Sequence, residues 1–155
     1  MRGKKASKRK MVKDPKYSSE VIERFINYVM LHGKKDLARS TVYGALETAA
    51  KKIKKDELDV LNQALSNVMP VLEVRSRRVG GASYQVPVPV PEDRQVTLAL
   101  RWIINIARNK KGKDFEVFLS EEIVNAYKGE GEAVKKKEDT EKMAEANKAF
   151  AHFRW

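Results

Sequence analysis

The chain has 155 residues, 42% of them hydrophobic and 34% charged, and its 32 Lys and Arg against 21 Asp and Glu leave a net charge of +11. That length suits one domain with its own core, and the charge points to a polyanionic partner, either nucleic acid or an anionic membrane surface. The absence of cysteine excludes disulfides, thiolate metal sites, iron–sulfur clusters and cysteine nucleophiles, and the two histidines, His32 and His152, are too few for a histidine-rich metal centre.

Residues 1–16 carry eight basic side chains and one acid, Asp14. The segment has no aromatic and almost no apolar residues, so burial cannot offset the entropy of ordering it. It is expected to be a flexible extension. It is either a solvated tail or an arm that orders on a phosphate backbone through Arg2, Lys4, Lys5, Lys8, Arg9 and Lys10. No apolar h-region follows these charges, so the start does not read as a secretory signal. No apolar run approaches the roughly 18–20 residues that span a membrane. A soluble intracellular protein with no membrane partner is expected.

Residues 17–155 read as a single helical domain. Val21, Ile22, Phe25, Ile26, Val29 and Met30 recur at the spacing of one helix face, with Ser18 or Ser19 as cap and Gly33 as the stop. A second helix is predicted over roughly 35–53, with Val42, Ala45, Leu46, Ala49 and Ile53 on its apolar stripe. A third starts at Asp56, carries Leu58, Leu61, Leu65 and Val68, and ends at Pro70.

Residues 71–90, VLEVRSRRVGGASYQVPVPV, change character. They are rich in β-branched residues, and Gly80-Gly81 sits between two extended runs, which predicts a β-hairpin. A two-residue loop there pairs Arg77 with Tyr84, Arg75 with Val86 and Glu73 with Val88. Pro87 and Pro89 then oppose Val74 and Leu72 at positions that need no N–H, and they bar a third strand on that side. The expected result is a protruding two-stranded arm that leans on a partner, since a lone hairpin is marginal in water.

Glu92 to Arg108 predicts a fourth helix. Leu98, Leu100, Trp102, Ile103, Ile104 and Ile106 surround much of its girth, so it is expected to be the central, most buried one. A basic turn, NKKGKD, follows. A fifth helix over roughly 115–128 ends at Gly129. A sixth runs from about Glu132 towards the C-terminus, with Met143, Ala146, Phe150 and Phe153 as its apolar seam. The fold class is therefore mainly α: six helices, a hairpin between the third and fourth, and a basic N-terminal extension.

The residues point away from an enzyme, a metal site and a cofactor. There is no Walker loop, GxGxxG, HExxH or GxSxG. The adjacent acids Glu121-Glu122 and Glu138-Asp139 do not face each other on a helix and read as solvated faces. The basic residues carry more. Residues 75–113 hold nine basic side chains against Glu92 and Asp93. Arg75 and Arg77 share one face of the predicted hairpin with Tyr84, and Arg78 takes the other. Such an arm can straddle phosphates and stack on a base; the alternative is that these arginines only keep an edge strand soluble. Arg94, Arg101 and Arg108 recur every seven residues on one helix face and lead into Lys110, Lys111 and Lys113. This is either a phosphate track or an ordinary solvated face. His152, Arg154 and Trp155 at the chain end can stack on nucleotides or dock on a protein neighbour.

The strings PVLEVRSRRVGGASYQVPVPV (Pro70–Val90), ALRWIINIAR (Ala99–Arg108) and MAEANKAFAHFRW (Met143–Trp155) resemble the family of small-subunit ribosomal protein seven, bacterial type. DPKYSSEVIERFINYVMLHGKK (Asp14–Lys35) and VYGAL (Val42–Leu46) fit the same family, so the resemblance covers nearly all of the chain after residue 14. It departs at two places, with no histidine near Glu141 and with Phe153 where a tyrosine is frequent. The resemblance implies six helices with a hairpin and a primary binder of small-subunit ribosomal RNA, in the 3′ major domain, that nucleates head assembly. It adds Lys34 and Lys35 to the RNA-contacting set. It implies that the hairpin (Arg78, Gly80, Gly81, Tyr84) and the C-terminus lie near messenger RNA and exit-site transfer RNA. Neighbouring head proteins and a platform protein follow as partners, with a monomer when free. The compartment is then a cytoplasmic ribosome or an organellar one. The alternative from charge alone is a sequence-tolerant DNA-binding or DNA-compacting helical protein.

Overall fold

Helices α1 (Glu20–Val29), α2 (Lys35–Ile53) and α3 (Glu57–Val68) lead into strands β1 (Leu72–Val79) and β2 (Ala82–Pro89). Helices α4 (Glu92–Asn109), α5 (Phe115–Lys128) and α6 (Glu132–Ala146) follow, and a 3-10 helix, Lys148–Phe153, ends the fold. This computed structural model describes residue 3 and residues 11–153. Arg2, Lys4, Lys5, Lys8, Arg9, Lys10, Arg154 and Trp155 lie outside the described residues.

The expected helical domain with its hairpin is present, and most of its boundaries follow from local chemistry. Ile22, Phe25, Ile26 and Val29 form a buried stripe on α1. Asp56 caps α3 by accepting the Leu58 N–H at 3.1 Å. The strands pair antiparallel in the predicted register, Arg77 with Tyr84, Val74 with Pro87 and Leu72 with Pro89. Gly80 and Gly81 both take positive φ, +57° and +91°, which the two-residue turn requires.

Several expectations are corrected. Helix α1 stops at Val29, four residues before Gly33. Met30 is already extended, and a turn closed by the Lys34 N–H on the Leu31 carbonyl carries the chain into α2, with His32 and Gly33 at positive φ. The folded body begins inside the segment assigned to the extension. Asp14 is buried and accepts the backbone N–H groups of Lys16 and Tyr17 at 3.0 Å and the Tyr43 hydroxyl at 2.6 Å.

The middle of the bundle belongs to α5, not α4. Helix α5 packs against α2, α3, α4 and α6. Its Leu119, Ile123 and Ala126 are fully buried. Helix α4 is amphipathic instead: Leu100, Ile103, Ile104 and Ala107 are buried, while Arg101 and Asn105 face out and Leu98, Trp102 and Ile106 are half-buried at its flanks. Helix α5 also buries a charge. Glu122 accepts from Lys110 Nζ at 2.8 Å and from the Ala133 N–H at 3.0 Å, so both carboxylate oxygens are satisfied at the junction with α6.

The seam expected on α6 is not the one that packs. Met143 and Ala146 are exposed, while Ala133 and Ala144 are buried. Eleven residues make about three turns, so two small side chains share a face that lets α6 lie close to α4 and the hairpin. The helix ends at Ala146, so Phe150 and Phe153 sit on the 3-10 helix, half-buried rather than in the core.

If α5 is the central element, Ile123→Ala should lower stability by about 2–5 kcal/mol. Val117→Ala, at a position 38% exposed on the same helix, should stay within about 0.5 kcal/mol. Urea unfolding followed by circular dichroism measures both.

Candidate nucleic-acid interface

The hairpin alone would be free to swing. Its base is fixed by a carboxylate between two arginines. Glu73 on β1 is buried and accepts from Arg75 Nε at 2.6 Å and from Arg94 Nε, on the first turns of α4, at 2.8 Å. A buried carboxylate is costly unless its lone pairs are used, and two guanidinium groups use them. Burial pushes the Glu73 carboxyl up; the bonds from Arg94 and Arg75 outweigh burial and hold it below its ordinary range. The Glu141 carboxylate accepts the Val71 N–H at 3.2 Å, and Gln95 Nε2 donates to the Val90 carbonyl at 3.0 Å. The hairpin is thereby clamped from both sides at its root.

The arginine ridge starts at this clamp. Helix α4 is unbroken, so Arg94, Arg101 and Arg108 follow one face about 10 Å apart. Helix α1 lies beside it. The Arg101 guanidinium sits 5.3 Å from the centre of the Tyr28 ring, and the Tyr28 hydroxyl lies 3.4 Å from Thr97 Oγ1. Arg108 donates to the Val29 carbonyl at 2.8 Å, satisfying the C-terminal end of α1, and lies 5.8 Å from the Phe115 ring centre. Both arginines are held in place by neighbours, and among the described residues neither has a carboxylate partner.

At its far end the ridge opens onto a cleft of about 610 Å³ between the α1–α2 loop, the start of α2 and the α4–α5 loop. Lys34, Arg108, Lys110 and Lys113 all line it. Residues distant in sequence that were predicted to bind RNA therefore meet at one place. Their charges are not equally available. Lys110 is committed to the buried Glu122, and Lys113 pairs with Glu121 at 2.9 Å. Lys35 pairs with Glu23 across the α1–α2 corner. Lys34 and Lys111 have no carboxylate partner among the described residues.

Arg78 is not brought to this surface. Alternation along β1 turns it to the face opposite Glu73, Arg75 and Arg77, and it is exposed. Tyr84, across from Arg77, does not stand free. Its ring lies 5.2 Å from Phe150 and 5.1 Å from Phe153, so the partner the hairpin needs is the chain's own C-terminal segment. His152 stacks 4.0 Å from Phe153 beside it.

Sequence reasoning missed the contribution of α1. Arg24 reaches Asp93 at the start of α4 at 3.4 Å, and Tyr28 underlies Arg101. The signal was present as an i, i+4 pair opposite the buried stripe, but which helix it faces is a tertiary fact.

Comparison with known proteins assigns the sequence to a family. The profile for ribosomal protein S7p/S5e matches residues 1–148. This chain belongs to that family. Among similar proteins, the small ribosomal subunit protein uS7 of Pelotomaculum thermopropionicum is 58% identical over 148 residues, covering 96% of this chain and 95% of its own. That of Thermotoga maritima is 54% identical over 155 residues, the full length of both. That of Chlamydia trachomatis is 56% identical over 151 residues, 97% of this chain and 96% of its own. Both departures from the family pattern noted above sit at hairpin contacts. Glu141 receives the Val71 N–H, and Phe153 packs on Tyr84.

The clamp carries a pH signature. A carboxyl held below its ordinary value of 4.5 contributes stability that is present above that value and lost as the pH falls through its folded value. Amide exchange in β1 and β2 should therefore accelerate below about pH 4.5 before the core helices open. In Glu73→Gln that acid-dependent step should disappear, with the hairpin already looser at neutral pH. Identical exchange profiles for both proteins would remove the clamp.

Proposed function

We propose that this chain is a structural constituent of the small ribosomal subunit that binds small-subunit ribosomal RNA through the face running from the hairpin root along α4 to the basic cleft. One observation carries this. Arg75 and Arg94 share Glu73, so the Arg75 face of the hairpin root meets the helix ridge that runs on to Arg108 and Lys34, while Arg78 stays on the opposite face. Guanidinium groups held by aromatic and carbonyl neighbours suit bidentate phosphate contact with little ordering cost. The A-form major groove is too deep and narrow for side chains, so shape and backbone carry recognition. The basic residues of the first ten positions extend the track along the RNA.

In this reading the target is a junction in the 3′ major domain, and binding there nucleates assembly of the head with neighbouring proteins. The hairpin tip and the C-terminal end, with Arg78, Gly80, Gly81, Tyr84, His152, Arg154 and Trp155, lie towards messenger RNA, exit-site transfer RNA and a platform protein. The free protein is a monomer, and the compartment is a bacterial cytoplasm. The similarity to uS7 proteins of bacteria supports the subunit and the compartment.

Footprinting on naked small-subunit ribosomal RNA tests the reading. Protection should concentrate at a folded junction of the 3′ major domain, and affinity should fall steeply with salt. Equal affinity for duplex DNA at physiological salt would overturn it. Replacing Arg101 and Arg108 by Gln should weaken binding and lower the salt slope by about 2, one for each lost phosphate contact. Helicity should be unchanged. Removing residues 1–10, with six basic side chains, should flatten the slope further without loss of the folded core.

A further inference from the structure

We infer that the cleft at the end of the arginine ridge takes an unstacked nucleotide of the bound RNA, base inward and phosphate at the rim. This rests on the proposed RNA-binding function and deepens it from phosphate contact to a base-insertion site. The cleft, about 610 Å³, lies within the roughly 300–1,000 Å³ typical of small-ligand sites. Its chemistry is divided. Val29, Ala38, Ala107 and Phe118 provide an apolar floor, and all four are buried. Leu31 and Leu37 stand at the lip, 56% and 64% exposed. The cations of the rim are Lys34, Arg108, Lys110 and Lys113, the last two paired with Glu122 and Glu121, and among the described residues no acidic side chain lines the cleft.

Two exposed leucines beside Lys34 and Arg108, the two rim cations with no carboxylate partner among the described residues, suit a ligand that is flat and apolar on one part and anionic on another. A phosphate alone leaves the leucines in water. An apolar protein segment leaves Lys34 and Arg108 without a partner. A nucleotide satisfies both sets, because every base has an apolar face and every linkage a phosphate. The site is preformed on its polar side. Arg108 is held by the Val29 carbonyl and the Phe115 ring, with further N–H donors left for a phosphate oxygen. Consecutive positive φ values at His32 and Gly33, +52° and +74°, turn the α1–α2 loop so that Leu31 and Lys34 both line the opening. The ridge delivers a phosphate backbone to this mouth, so insertion needs one nucleotide to leave its stack and no second binding event.

The test uses the full chain and naked small-subunit ribosomal RNA. Leu31→Ser with Leu37→Ser removes the apolar lip at exposed positions, so the fold should hold, as circular dichroism and thermal unfolding would verify. Affinity should fall about tenfold with the salt slope unchanged, because apolar burial releases no counterions. Lys34→Gln should behave oppositely, with the slope falling by about 1. Unchanged affinity in the leucine double variant would overturn base insertion and leave the cleft to a protein neighbour. A double variant whose slope drops like that of Lys34→Gln would reduce the site to phosphate contact, and would overturn it equally. In both cases the unsubstituted chain still binds RNA, so the proposed function stands. If the unsubstituted chain fails to bind, both readings fall.

Discussion

A single carboxylate between two guanidinium groups sets the direction in which the hairpin leaves the helical body. Glu73 lies on β1, Arg75 two residues further along the same face, and Arg94 on the first turns of α4. A two-stranded ribbon has too little buried surface to orient itself. Electrostatics supplies what area cannot, because a desolvated carboxylate strongly favours the one arrangement that satisfies both oxygens. The placement of Arg75 beside the start of the α4 ridge follows from this. With an apolar residue at 73, the Glu141–Val71 and Gln95–Val90 bonds and the Tyr84 ring contacts would still hold the hairpin, but no carboxylate would bring Arg75 and Arg94 together.

The same economy governs the other cations. A chain with +11 net charge does not present all its basic groups outward. Lys110 satisfies a fully buried glutamate, Lys113 and Lys35 pair with acids on helices, and Arg108 terminates α1 by bonding its last carbonyl. These groups keep the loops in register. Arg101, Lys34, Lys111 and Arg78 retain charge for a partner. One side chain can do both, since a guanidinium bonded through one nitrogen keeps further donors. Arginine rather than lysine at 94, 101 and 108 fits that double role.

The C-terminal segment closes the other side of the hairpin. Tyr84 meets Phe150 and Phe153, and α6 meets the hairpin root through Glu141 and Val71. Aromatic rings cover a large area at low conformational cost, so a short 3-10 helix can brace a ribbon that protrudes from the body. The arm and the chain end consequently behave as one projection, with the 80–81 turn at its tip and His152 beside its aromatic stack.

Local chemistry makes much of this legible in the sequence. Apolar spacing marked the helices, Asp56 and Pro70 bounded α3, and Gly80-Gly81 with the two prolines specified the strand register residue by residue. Each of these depends on neighbours a few positions apart. The heptad spacing of Arg94, Arg101 and Arg108 likewise needs only an unbroken helix to become a ridge. What distance in sequence conceals is pairing. That α5 rather than α4 occupies the middle depends on which stripes find each other, and the broad apolar content of α4 misled because its flanks are covered only in part. That Phe150 and Phe153 brace Tyr84, that Lys110 is spent on Glu122, and that Lys34 meets Arg108 across a cleft are contacts between segments tens of residues apart. Periodicity carries no information about them, since the partner of a side chain is chosen by the packing of whole elements.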